Sequence, residues 1–137
     1  MSRYALTVTA TGYTVVLQVL ETDGSVPATP ADEPSSVWRE VPDGMIVEPG
    51  MKTDWGSTYS DTSDYERQAF TSGRIQLRLD QASRWLMFNP LQYKLDLEIA
   101  TAAEAAALVA YKQYYIAVTE VINQNAFPTI NWPVAPF

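Results

Sequence analysis

Residues 4–9 alternate bulky positions with small or polar ones, so that Tyr4, Leu6 and Val8 share one face. That period of two predicts a half-buried strand. Thr11-Gly12 interrupts the pattern, and residues 13–21 resume it as a β-branched, apolar run. With so short a spacer the two strands are expected to pair as a hairpin. Asp23-Gly24 closes the second strand. Residues 25–36 carry Pro27, Pro30 and Pro34, which leave no amide ladder, so this segment reads as a surface loop or as a proline segment that meets a partner. Residues 37–41 and 45–48 are short strand candidates around Pro42-Asp43-Gly44, a strong turn signal. Residues 51–65 read as a polar loop.

Alternation returns at residues 74–80, with Ile75, Leu77 and Leu79 expected inward. It returns again at 93–99, with Leu95, Leu97 and Ile99 on one face. With the apolar run 84–88 between them, these segments predict an antiparallel meander. A helix follows. Thr101 and Glu104 have the spacing of a capping box, and residues 102–107 are rich in alanine, the best helix former. Leu108, Tyr111, Tyr115, Val118 and Ile122 recur at three- and four-residue spacing and predict one apolar stripe, with Tyr114 off it. Asn123 to Asn125 end the pattern. Pro128 and Pro133 forbid further helix, so the tail is expected to be extended, with Trp132 in a β or polyproline backbone. The expected fold class is α+β: an antiparallel β-rich part over 1–100 with loops at 25–36 and 51–65, then one amphipathic helix and an extended Pro/Trp tail over 101–137.

The end of the chain resembles a known family. An alanine-rich capped helix carrying Lys112 between large apolar residues, then Pro128, Ile130, Trp132, Pro133 and Pro136, is similar to the C-terminal end of phage tail-fibre assembly proteins, or tail-fibre chaperones. Ala102 to Leu108 and Val118 share in the match. The chain departs from the pattern at Tyr111, where Trp is expected before the Lys, and at Tyr115, where a basic residue is usual nearby. The resemblance covers about the last quarter of the chain. It implies a protein that assists the folding and trimerisation of a tail fibre by binding the fibre's C-terminal tip. Such a protein works in the host cytoplasm, and some remain in the virion.

Composition narrows the chemistry. The 137 residues are 47% apolar and 12% aromatic, which suits a single globular domain. With no cysteine and no histidine, a thiolate metal site, a disulfide framework and a Ser-His-Asp or Cys-His centre are all excluded. The net charge of −7 lies entirely in residues 1–73, which hold 11 acidic and 4 basic residues; residues 74–137 hold 5 of each. An acidic first half argues against binding nucleic acid. No apolar run approaches the ~20 residues that cross a bilayer, and the start lacks the pattern of a signal peptide. No nucleotide-binding loop is present, and no cofactor is expected.

Two residual chemistries have candidates. Asp54, Asp61, Asp64 and Glu66 lie close in sequence and offer oxygen ligands to a hard cation, although their spacing fits no calcium loop. Asp54 with Asp64, or Glu40 with Glu48, are carboxylate pairs of the kind glycosidases use. Neither outweighs a non-catalytic reading. The residues expected to meet a partner are Trp55, Tyr59, Tyr114 and Trp132, because aromatics among polar neighbours anchor interfaces. The partner implied by the resemblance is the tail-fibre protein. A homodimer is a further expectation, from the resemblance and the open edges of a small sheet. The competing reading is a structural or receptor-binding component of a phage tail, with the Trp55–Tyr59 loop meeting a sugar.

Overall fold

The computed structural model describes residues 1–137. The chain forms two compact units. One comprises Met1–Gly73 with Ala126–Thr129, and the other Arg74–Asn125 with Ile130–Phe137. The boundary at Gly73 is also where the charge changes: all of the net charge of −7 belongs to the first unit, and the second is neutral.

The first unit holds an antiparallel sheet of β1 (Ser2–Ala10), β2 (Tyr13–Thr22), β3 (Val37–Val41), β4 (Lys52–Thr53) and β5 (Tyr59–Ser60), in the order β3-β1-β2-β4-β5. The β1–β2 hairpin turns on Thr11 and Gly12, whose φ values of 53° and 79° suit the tight primed turn that matches strand twist. Glycine takes that backbone freely; Thr11 does not. Its hydroxyl donates to the Ala69 carbonyl at 3.1 Å, which holds it there.

A bulge between Leu6 and Thr7 shifts the register, so Leu17 faces no partner of its own. Val15 and Leu17 then join Leu6, Val8 and Phe70 on one face, while Val16 joins Ala5, Val41 and Val47 on the other. The sheet is therefore buried on both faces, where alternation predicts one buried face. Thr7, on the second face, is fully buried; its hydroxyl donates to the Val37 carbonyl and accepts from Arg39 Nε. Residues 45–48 form no strand, but Val47 and Met45 cover that face.

The expected meander is absent. Residues 74–88 belong to one long helix, α1 (Asp64–Phe88), and residues 91–96 to a short one, α2 (Leu91–Asp96); α3 (Ala102–Glu120) is the helix expected from the sequence. The α+β class and the order of strands before helices hold, but three helices follow the sheet instead of one. Helix wins over strand in α1 because Ile75, Leu79, Ala82 and Leu86 also recur at helical spacing, and in the structure they pack together. Leu77 satisfies only the two-residue period and is left half exposed.

Both α1 and α3 begin with a capping box. Ser63 accepts from the Glu66 amide while the Glu66 carboxylate accepts from the Ser63 amide; Thr101 and Glu104 do the same. Each box glutamate also holds a lysine, Lys52 for Glu66 and Lys94 for Glu104. The Lys52 hydrogen bond, then the Ser63 amide, hold the Glu66 carboxyl down from 4.5 to about 2. Lys94 and the Thr101 amide lower Glu104 in the same way. A carboxyl lowered by folding stabilises the fold above its unfolded value and loses that contribution as pH falls through its folded value. Acid should therefore weaken the protein between pH 4.5 and about 2. Glu66→Gln should melt lower at neutral pH and show a shallower acid slope. Thermal melts across that window test this; identical slopes would remove Glu66 from the acid response.

In the second unit the buried stripe of α3 is Leu108, Tyr111, Tyr114 and Val118, continued by Val121 in a closing 3-10 turn. Asn125 ends it in the left-handed region, at φ 51°. Gln124 then clamps the tail: its side-chain amide donates to the Asn131 carbonyl and accepts from the Asn131 amide, as a neighbouring strand would. The tail has no regular element.

Candidate partner-binding surface

The four aromatics expected to meet a partner are not equivalent. Trp55 and Tyr59 lie in the first unit, Tyr114 and Trp132 in the second. Trp55 stands in the β4–β5 turn and is 83% exposed. The turn is fixed by the Asp54 amide donating to the Thr58 carbonyl, the Ser57 amide to the Asp54 carbonyl and the Gly56 amide to Thr53 Oγ1. These bonds hold Trp55 at φ 54°, an uncommon backbone for a bulky side chain. The Arg39 guanidinium lies 5.8 Å from the indole centroid, a cation–π contact of modest strength at so exposed a site. Tyr59 is half-buried, and its hydroxyl is buried without a hydrogen-bond partner.

Tyr114 is only 8% exposed. The spacing that set it off the stripe is overridden by packing: Phe137 meets it edge-on at 5.6 Å. The same Phe137 stacks on Trp85 at 4.9 Å, Trp85 on Tyr111 at 5.9 Å, and Tyr111 leans on Tyr115 at 6.0 Å. Ile122, expected on the stripe, is exposed. Trp132 is half-buried under two arginines, with Arg78 3.8 Å and Arg74 5.0 Å from its ring. Planar guanidinium groups stack well on an indole face, so this contact orders the tail.

The structure brings to light a surface that sequence patterning hides. Between Met87 and Ile99 the large side chains Met87, Phe88, Tyr93, Leu97 and Ile99 all lie largely in solvent, Phe88 at 78% and Leu97 at 69%. Leu95, Leu97 and Ile99 are expected from the alternation to share one face of a strand. Glu98, at φ 59°, ends α2 instead, and the chain turns through hydrogen bonds from the Ile99 and Ala100 amides to the Lys94 carbonyl. Val109 and Ile116 on α3 are exposed too. So many large apolar side chains exposed within one short stretch make this a candidate interaction surface. The signal available in the sequence was Asn89-Pro90, which begins α2 as readily as it turns a strand.

The acidic candidates do not gather. No three carboxylates converge in a way that could hold a metal ion. Glu66 is committed to Lys52 and its capping box, Asp64 sits in the first turn of α1, Asp54 in the β4–β5 turn, and Glu40 on β3. No helix is long and apolar enough to cross a membrane.

A family profile described as "Caudovirales tail fibre assembly protein, lambda gpK" matches residues 17–137. The chain belongs to this family of phage tail-fibre assembly proteins. The match extends well beyond the C-terminal helix and tail, from β2 through all three helices. A "Probable tail fiber assembly protein" from Acyrthosiphon pisum secondary endosymbiont phage 1 is 40% identical over 50 residues, 36% of this chain. The match spans 32%, about a third, of that relative's length. No solved structure matches the chain. The family is named for assembly, not for a reaction.

Proposed function

We propose that this protein binds the C-terminal tip of a phage tail fibre in the host cytoplasm and assists its folding and trimerisation. The observation that carries this reading is the division of labour between the two units. One holds all the net charge; the other is neutral and exposes Phe88, Tyr93, Leu97 and Ile99. An unassembled β-rich fibre tip presents strand edges and apolar surface that template wrong pairing. The neutral helical surface covers that apolar area, while the acidic unit keeps the complex soluble. Trp55 is a second contact, being exposed and held by a braced turn. Tyr59, Tyr114 and Trp132 contribute by holding the elements on which those contacts stand. Masking needs neither a nucleotide nor a catalytic step. Continued attachment to the fibre in the virion is compatible with the same contacts.

Co-expression tests this. With the wild-type protein the adjacent fibre should mature into a soluble, heat-resistant trimer; with Phe88→Glu/Leu97→Glu the trimer yield should fall several-fold. Both side chains are exposed, so the variant's own unfolding midpoint should stay close to wild type, since surface changes usually cost within about 0.5 kcal/mol. Without fibre, the same surface is expected to pair two copies, and the double substitution should return the sedimenting species to a monomer. Equal trimer yields with and without the substitutions, or a fibre that matures alone, would defeat the proposal.

A further inference from the structure

The first unit carries an open polar cleft of about 300 Å³ beside the tip of the β1–β2 hairpin. It exists because β2 and β4 pair only at Val15 and Lys52, so the hairpin tip and the β4–β5 turn are free to part beyond that point. Tyr13, Thr14, Lys52, Asp54, Thr58 and Ser60 line it. Two of these are already engaged: the Thr14 hydroxyl with that of Thr9, and the Lys52 ammonium with Glu66. The hydroxyls of Tyr13, Thr58 and Ser60 and the carboxylate of Asp54 engage no other group of the protein. A concave set of uncommitted hydroxyls, which both donate and accept, and one carboxylate, which accepts from two neighbouring hydroxyls at once, is matched by a polyol. The volume lies at the small end of ligand sites and suits about one pyranose ring with bridging water.

A second observation lies next in the chain. Trp55 follows Asp54, its indole is exposed, and its left-handed backbone is held by three turn hydrogen bonds. Strain of this kind persists only where surrounding structure enforces it, often at binding sites. Arg39 lies over the ring at 5.8 Å, yet the side chain remains 83% exposed. An exposed indole face stacks against the C–H face of a sugar. Charge selects the kind of sugar. Lys52 is neutralised by Glu66, Asp54 is not compensated within the cleft, and the unit carries −7, so an anionic sugar is repelled.

We propose that the cleft between the β1–β2 hairpin and the β4–β5 turn binds a neutral pyranose, with Asp54 accepting from two ring hydroxyls and Trp55 stacking on an adjoining sugar. This does not depend on fibre binding, whose main surface lies on the other unit and whose readout is separate; Trp55 is the one residue the two proposals share.

The test is an amide-resolved NMR titration of the full chain. The probes are the methyl glycosides of glucose, galactose, mannose and N-acetylglucosamine, with a delipidated surface core oligosaccharide and N-acetylneuraminate as two further arms. At least one neutral glycoside should move the Gly12, Thr14, Thr58 and Ser60 amides at millimolar concentration, and N-acetylneuraminate should not. Asp54→Ala should weaken that binding about tenfold or more, since a hydrogen bond to a charged group is lost. Its spectrum elsewhere should be unchanged, because the carboxylate makes no bond within the protein. Trp55→Ala should weaken the oligosaccharide more than the monosaccharide. Tighter binding of the oligosaccharide assigns the site to a surface glycan, and equal binding to a free sugar; both support the proposal. Amides that stay still with every neutral probe, equal shifts with N-acetylneuraminate, or a titration untouched by Asp54→Ala would overturn it.

Discussion

Replacing Phe70 with alanine is expected to lower the stability of the protein by about 3–5 kcal/mol, the range for deleting a fully buried aromatic ring. Phe70 is 0% exposed and lies among Leu6, Val8, Val15 and Leu17, where it is the only large ring that is wholly buried. Phe127 returns to meet it edge-on at 6.0 Å, a geometry worth roughly 0.5–1.5 kcal/mol beyond area. The ring therefore joins the strands, the first turns of α1 and the returning segment Ala126–Thr129 in one core. Collapse into the space is restricted, because Val15, paired with Val8, is held by the β1–β2 ladder and cannot move inward without breaking it. A typical domain has about 5–15 kcal/mol in total, so the variant should be marginal at physiological temperature. Phe127→Ala should cost clearly less, since that ring is only half-buried. Urea unfolding followed by circular dichroism checks both. A loss of less than about 1 kcal/mol for Phe70→Ala would mean that the sheet does not depend on α1 for its core.

The strands were legible where pattern and punctuation agreed. Tyr4, Leu6 and Val8 alternate up to Thr11-Gly12, and Val37–Val41 is bounded by Pro42-Asp43-Gly44, so neither needed tertiary information. The buried second face of β1 was not legible, since a bulge at Leu6/Thr7 leaves no mark in composition. α1 was misread for a physical reason. Seven residues can satisfy periods of two and 3.6 together, and Ile75 and Leu79 serve both. The signal that separates them was present in Ser63-x-x-Glu66, the same capping box that located α3 at Thr101 and Glu104. On α3 the side-by-side pairs Tyr114-Tyr115 and Val121-Ile122 leave the stripe undecided by one position. Phe137 settles it in favour of Tyr114, and Val121 is the buried member of its pair. The exposed surface from Met87 to Ile99 stayed hidden because apolar residues are assigned inward by default. Only the placement of α2 shows that nothing in the chain covers them.

Gly73→Ala should destabilise the protein, although the same change in a helix interior ordinarily gains about 1 kcal/mol. A Cβ at position 73 would fall 1.9 Å from Thr11 Oγ1, 3.2 Å from Thr11 Cβ and 3.4 Å from the Thr11 amide nitrogen. Rotating the threonine relieves the first contact but breaks its hydrogen bond to the Ala69 carbonyl. That bond is what holds a non-glycine residue at φ 53° in the hairpin turn. The second contact remains in any rotamer, so helix or hairpin must shift. Overpacking of this kind costs about 1–3 kcal/mol, which exceeds the helix gain. Thr11→Gly supplies the discriminating partner. Alone it exchanges a strained backbone for a lost hydrogen bond, and little net change is expected. Combined with Gly73→Ala it removes the obstructing side chain, so the helix gain is recovered. The double variant should then be more stable than Gly73→Ala by about 1–3 kcal/mol, a strong departure from additivity between two touching sites. If Gly73→Ala stabilises on its own, or if the two changes simply add, then the hairpin tip does not press on α1 and Thr11 needs another reason for its left-handed backbone.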